Sequence, residues 1–126
     1  MKLRIRGSSL RIRLTQPEVR QLSGGTAVED HCVLSPLSQL SVAAEPWHLD
    51  VFSAAFEGGI LTVRIPQSAI TRWAETDEEG IYATLENGTS EGLRIAIEKD
   101  YSCLSPRADE SDAEQFPNPD SGKRIC

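Results

Sequence analysis

Arginine recurs at alternate positions in the opening MKLRIRGSSLRIRL, as Arg4, Arg6, Arg11 and Arg13. Each guanidinium offers a planar fork of donors that grips phosphate or carboxylate through paired hydrogen bonds. Arg64 in LTVRIP and Arg94 in GLRIAIEK stand in the same setting, flanked by aliphatic residues. If the face carrying these six side chains curls inward, it makes a basic concavity for a small phosphate or carboxylate ligand. If helices cover the aliphatic face instead, the arginines look into water, paired with Glu98, Glu57 or the acidic C-terminal stretch.

Two other constellations contain reactive groups. The tetrapeptide EDHC, residues 29 to 32, places two carboxylates, an imidazole and a thiol in a row. On a strand His31 and Cys32 point to opposite faces, so they form no direct couple. No CxxC or HxxxH spacing is present to hold zinc, which would have to be assembled from distant Cys103 and Cys126 with a histidine. His48 and Asp50 are two apart and would share a strand face, where a carboxylate can orient an imidazole. Ser53 has the wrong parity to complete that pair, and no GxSxG elbow or glycine-rich phosphate loop occurs. No catalytic residue, cofactor site or metal site is therefore assigned.

The elements that must position the arginines are legible from periodicity. In KLRIR and in LRIRLT apolar and basic residues alternate, the signature of strands with one buried face, and the GSS between them makes a hairpin. Thr15, Pro17 and Glu18 form a helix start with a capping box; Val19 and Leu22 face the core, and Gly24 and Gly25 end the helix. Residues 27–34 and 37–43 read as two further strands, and Glu45 and Pro46 as a break. The pattern then recurs: a strand over 47–56, a turn at Gly58 and Gly59, a strand over 60–65, a helix in PQSAITRWAE, and strands over 81–86 and 93–98 around a turn at Asn87 and Gly88.

At an offset of 51, LRIRLTQPEVRQL meets LTVRIPQSAITRW, and Arg13 meets Arg64. Ile12, Leu14, Val19 and Leu22 fall on Val63, Ile65, Ile70 and Trp73. A ββαββ unit with one short helix cannot cover its own sheet, so two such units are expected to bury their apolar sides together. The expectation is an α+β fold: an antiparallel sheet or partly closed barrel of about eight strands with two short helices, from a duplicated ββαββ unit. Residues 1–104 make one globular domain of two repeats, 1–46 and 47–104. Residues 105–126 form an acidic, proline-containing tail, from which Phe116 is expected to dock on the domain.

Composition narrows the partners. A net charge of −6 disfavours attraction to nucleic acid or anionic lipid. No apolar run approaches the roughly 20 residues of a membrane span. MKLRIRGSSL lacks the apolar core of a secretory leader, and three scattered cysteines fit a reducing compartment, so a cytoplasmic location is expected. The first 13 residues are basic and residues 109 to 120 acidic, and these ends could attract each other within a chain or across a homodimer.

IEKDYSCL at 97–104, FPNP at 116–119 and the opening KLRIRGSSLRIRLTQPEV resemble a family of small uncharacterised bacterial proteins, a domain of unknown function, over nearly the full length. That resemblance implies no catalytic residues. A basic barrel interior would also be similar in outline to the triphosphate tunnel enzymes, but KLRIR lacks the alternating glutamates with which that family binds metal. The expected function is a small non-enzymatic binding or protein-interaction domain. The alternatives are an anion-binding protein or enzyme with an arginine-lined pocket, and a structural zinc site using the cysteines.

Overall fold

The computed structural model describes residues 1–101 and Phe116. Lys2–Arg6 (β1) and Ser9–Leu14 (β2) form the expected hairpin, with Lys2 opposite Arg13 and Arg6 opposite Ser9. Its turn needs Gly7, whose φ of 55° lies in the left-handed region that other residues enter at a cost. Gln16–Ser23 (α1) follows at once. Thr15 Oγ1 accepts from the Glu18 amide at 3.5 Å and Glu18 Oε1 accepts from the Thr15 amide at 3.0 Å, so the capping box forms as the sequence reads. Thr15→Ala is expected to remove about 1 kcal/mol of stability in a denaturant titration. An unchanged midpoint would show that the box contributes nothing.

The chain continues through Val28–Ser35 (β3), Ser38–Trp47 (β4), Ser53–Glu57 (β5), Ile60–Pro66 (β6), Gln67–Glu75 (α2), Gly80–Leu85 (β7) and Leu93–Lys99 (β8). Two expectations need correction. The break at Glu45 and Pro46 does not occur, because β4 runs through both, with Glu45 opposite Arg64 and Pro46 opposite Ile65 of β6. β3 begins opposite Ala44, so Pro46 has no neighbour on that side and its missing amide hydrogen breaks no ladder bond there. The strand expected over 47–56 starts only at Ser53. Ser53 pairs with Arg64, and β6 runs only two residues further before α2 begins at Gln67, so most of the expected segment lies beyond the end of β6.

Among the described residues, eight strands and two helices form an α+β fold with two open four-stranded sheets, ordered β1-β2-β8-β7 and β3-β4-β6-β5. The strands do not close into a barrel. Within each sheet two antiparallel hairpins meet at a parallel central pair, β2 with β8 and β4 with β6. Exchanging β1 to β4 with β5 to β8 converts one strand order into the other read backwards. The ββαββ segments are thus intertwined, each giving one hairpin to each sheet, instead of stacking as two separate sheets. α1 leads from β2 in the first sheet to β3 in the second, α2 leads back from β6 to β7, and the two helices pack against each other.

The buried apolar side chains form one cluster: Ile12, Leu14, Ile81, Ile95 and Ile97 from the first sheet, Val28, Val42, Ala44, Val63 and Ile65 from the second, and Val19, Leu22, Ile70 and Trp73 from the helices. The central strands supply most of it. Phe116 packs against this cluster: its amide donates to the Asp100 carbonyl at 2.8 Å, and its ring meets Tyr101 edge-on at 5.8 Å between centroids. The rest of the stretch from residue 105, with Cys103 before it, lies outside the described residues.

Candidate functional site

Burial of Ile12, Leu14, Ile95 and Ile97 forces their neighbours on β2 and β8 to the opposite face of the first sheet. Registers then set the residues of that outer face in three rows across β1, β2, β8 and β7. One row is Lys2, Arg13, Glu98 and Gly80; the next is Arg4, Arg11, Ala96 and Tyr82; the last is Arg6, Ser9, Arg94 and Thr84. Ala96 and Ser9 have the smallest side chains in their rows and are ringed by long ones. The outcome is an open groove of about 560 Å³ lined by Arg4, Arg6, Arg11, Arg94, Tyr82 and Thr84 above that floor.

Five of the six expected arginines therefore share one face, and four of them line one groove. Arg13 is displaced to the flanking row, where its Nε lies 3.7 Å from Glu98. Arg64 is on the other sheet. It lies opposite Glu45, with Nε 3.4 Å from that carboxylate, and its guanidinium stacks 4.5 Å above the Trp47 ring. The groove is on the outside of an open sheet and not inside a barrel, because the aliphatic faces claim the interior.

Glu98 organises this surface. Its carboxylate is nearly buried, and three groups satisfy it: Tyr82 Oη donates at 2.7 Å, Arg11 Nε lies at 3.2 Å, and Arg13 Nε is beyond it. Such a cluster neutralises a carboxylate that would be costly to bury alone. Tyr82 reaches Glu98 by lying over Gly80, where an added Cβ would stand 2.8 Å from the phenol oxygen and 2.8 Å from the Ile97 carbonyl. Among the described residues, Arg4, Arg6 and Arg94 have no carboxylate partner.

Although its ring is largely exposed, loss of solvent around the hydroxyl, the hydrogen bond to Glu98 and that carboxylate's charge push the Tyr82 phenol up to about 12. The folded state holds this proton more tightly than an unfolded chain, whose tyrosine titrates at 10.0. Stability from the Tyr82–Glu98 contact is therefore complete below pH 10.0 and is lost as pH rises towards about 12. Phenolate absorbance should show Tyr82 ionising in that upper range, and Glu98→Gln should bring the transition down. Tyr82 titrating at 10.0, read in a Tyr101→Phe background, would contradict the contact.

The remaining candidates are dispersed. The His48 ring lies tilted against Trp47, 4.6 Å between centroids, and Asp50 accepts from Ser68 at 3.3 Å in the segment between β4 and β5, so the expected His48 and Asp50 strand pair does not exist. On β3, His31 and Cys32 do face opposite ways, opposite Ser41 and Leu40 respectively. His31 Nδ1 lies 3.0 Å from Ser41 Oγ and 3.5 Å from Glu29 Oε1. Serine and carboxylate address the same ring nitrogen, so the imidazole cannot relay a proton between them as a hydrolytic triad requires. Cys32 is exposed and free; Cys103 and Cys126 lie outside the described residues. Among the described residues no three His, Cys, Asp or Glu side chains are grouped to hold a metal.

Tyr82, Ala96, Ser9 and Thr84 complete the groove without having been singled out from sequence. Their parity was readable, since Tyr82 and Thr84 alternate with Ile81, Ala83 and Leu85. Their neighbours were not, because β8 joins β2 from more than 80 residues away.

The chain is thus an α+β fold of two intertwined hairpin pairs with a basic groove on one open sheet face. The chain belongs to a family of unknown function, DUF7009, whose model matches residues 1–120. No curated protein and no solved structure matches it. No helix is long and apolar enough to cross a membrane.

Proposed function

We propose that this protein is a small non-enzymatic binding module that holds a phosphate- or carboxylate-bearing anion in the groove of the β1-β2-β8-β7 sheet. The observation that carries the reading is the presence of Arg4, Arg6 and Arg94 along one groove with no carboxylate partner among the described residues. Three guanidiniums at neighbouring positions on one sheet face repel one another, and a bound anion offsets that repulsion. The groove's volume falls within the roughly 300–1,000 Å³ of small-ligand sites. Catalysis has weaker support, because Glu98 is engaged by three donors and, among the described residues, no nucleophile with an adjacent base faces the groove.

The duplication reading is supported by more than strand order. Arg13 lies opposite Glu98 across the parallel pair of one sheet, and Arg64 lies opposite Glu45 across the parallel pair of the other. These are the two arginines that coincide at the offset of 51, so repeats at 1–46 and 47–104 would explain why the couple occurs twice. A bacterial, cytoplasmic setting accords with the exposed thiol of Cys32.

Calorimetric titration of the full chain with inorganic pyrophosphate at low ionic strength tests the anion site. The expected dissociation constant is below about 1 mM, with affinity falling as salt is added. Absence of saturable binding under those conditions would remove the proposal.

A further inference from the structure

Resting on the anion site just proposed, we infer that its ligand carries a flat aromatic ring beside its phosphates, the chemistry of a free nucleoside diphosphate. The middle row of the sheet face is Arg4, Arg11, Ala96 and Tyr82. Arg11 and Tyr82 are thus two strands apart, about 10 Å between backbones, with only the methyl group of Ala96 between them. A ring seated on Ala96 needs about 3.5 Å to each neighbour it contacts, which the spacing between these strands admits, and the Tyr82 ring, lying over Gly80, borders that seat.

Both walls of this slot are held by one carboxylate. Glu98 accepts from Tyr82 Oη at 2.7 Å and faces Arg11 Nε at 3.2 Å. Tyr82 is therefore fixed by its hydroxyl while 58% of its surface remains exposed. An exposed ring with its torsions already restrained loses little entropy on stacking. The adjoining row places Arg6 and Arg94 on either side of Ser9, with Arg4 beside Arg6 on β1. These three cations match the roughly three negative charges of a diphosphate. A free nucleotide is favoured over a strand of nucleic acid because the chain's net charge of −6 opposes approach of a long polyanion.

The test compares adenosine diphosphate with inorganic pyrophosphate on the full chain, and then on Tyr82→Leu and Ala96→Leu. Tyr82→Leu removes the stacking face, whereas Ala96→Leu fills the slot and leaves Tyr82 in place. In the unmodified protein the nucleotide should bind about 5-fold or more tighter than pyrophosphate. Either variant should abolish that preference, read as the ratio of nucleotide to pyrophosphate affinity in the same protein, so that any change in the groove common to both probes cancels. Equal binding of both probes by the unmodified protein overturns the ring slot and leaves the anion site standing; binding of neither overturns both. A folded variant that keeps the preference also overturns the slot. So does single-stranded oligoadenylate binding more than about tenfold tighter than the nucleotide at the same salt, which would assign the surface to a polymer.

Discussion

Replacement of Trp73 by alanine is expected to remove about 3–5 kcal/mol of unfolding free energy, a large part of the roughly 5–15 kcal/mol that holds a domain of this size together. Trp73 is completely buried on α2 among side chains from both sheets and from α1. Its Nε1 donates at 3.1 Å to the Glu79 carbonyl, which also accepts from the Lys99 amide at 3.0 Å. The indole thus ties α2 to the start of β7 and the end of β8. The Lys99 ammonium lies 6.0 Å from the same ring and donates to the Thr76 carbonyl, and its burial lowers its pKa. Truncation would leave a cavity beneath that charge. Trp73→Phe keeps much of the volume and loses only the donor, so an intermediate loss is expected. Chemical denaturation monitored by circular dichroism measures both, and an alanine variant within about 1 kcal/mol of the parent would show that Trp73 does not lock the core.

The second large effect concerns the groove. Arg4→Ala combined with Arg94→Ala is expected to weaken pyrophosphate binding by about 100-fold or more. A charge-assisted hydrogen bond contributes about 1.5–3 kcal/mol, and every 1.4 kcal/mol is tenfold in affinity. Both side chains are exposed and neither holds an ion pair among the described residues, so the fold should be unaffected. Arg64→Ala provides the control: it removes the same kind of charge from the other sheet, where Arg64 is engaged by Glu45 and Trp47. Its effect on pyrophosphate should stay within about twofold. If Arg64→Ala weakened binding as much as a groove arginine does, attraction would be a property of overall charge and the groove would not be a site. Calorimetry on the three proteins at one ionic strength decides between these outcomes.

Local chemistry was readable along the chain. The KLRIR and LRIRLT alternation defines the hairpin and the side on which its arginines stand, because a strand's side-chain period is two and Leu3, Ile12 and Leu14 must be covered. Thr15 with Glu18 marks the start of α1, because the capping groups are sequence neighbours. The eight strands and two short helices follow from the same local rules. WHLDVF misled, because alternation indicates only what a strand would look like, whereas a strand exists only where another edge is free to pair with it. Glu45 and Pro46 misled for the converse reason: proline is excluded from a ladder only where its amide is needed.

Pairing between distant segments belongs to tertiary structure alone. The match between Arg13 and Arg64 at an offset of 51 invites the conclusion that they share a site, yet they occupy corresponding places on opposite sheets. A short helix between hairpins sends the second hairpin of each segment into the other sheet, and that exchange separates equivalent residues. The same exchange brings β8 beside β2, so that Glu98 meets Arg11 and Tyr82, and Arg94 joins Arg4 and Arg6. The sequence by itself determined which residues are basic, which face each takes and where the helices begin, since these depend on neighbours a few positions away. Only the folded arrangement decided which of those faces lie side by side, because contacts across more than 80 residues depend on how both sheets are shared, and periodicity carries no record of that.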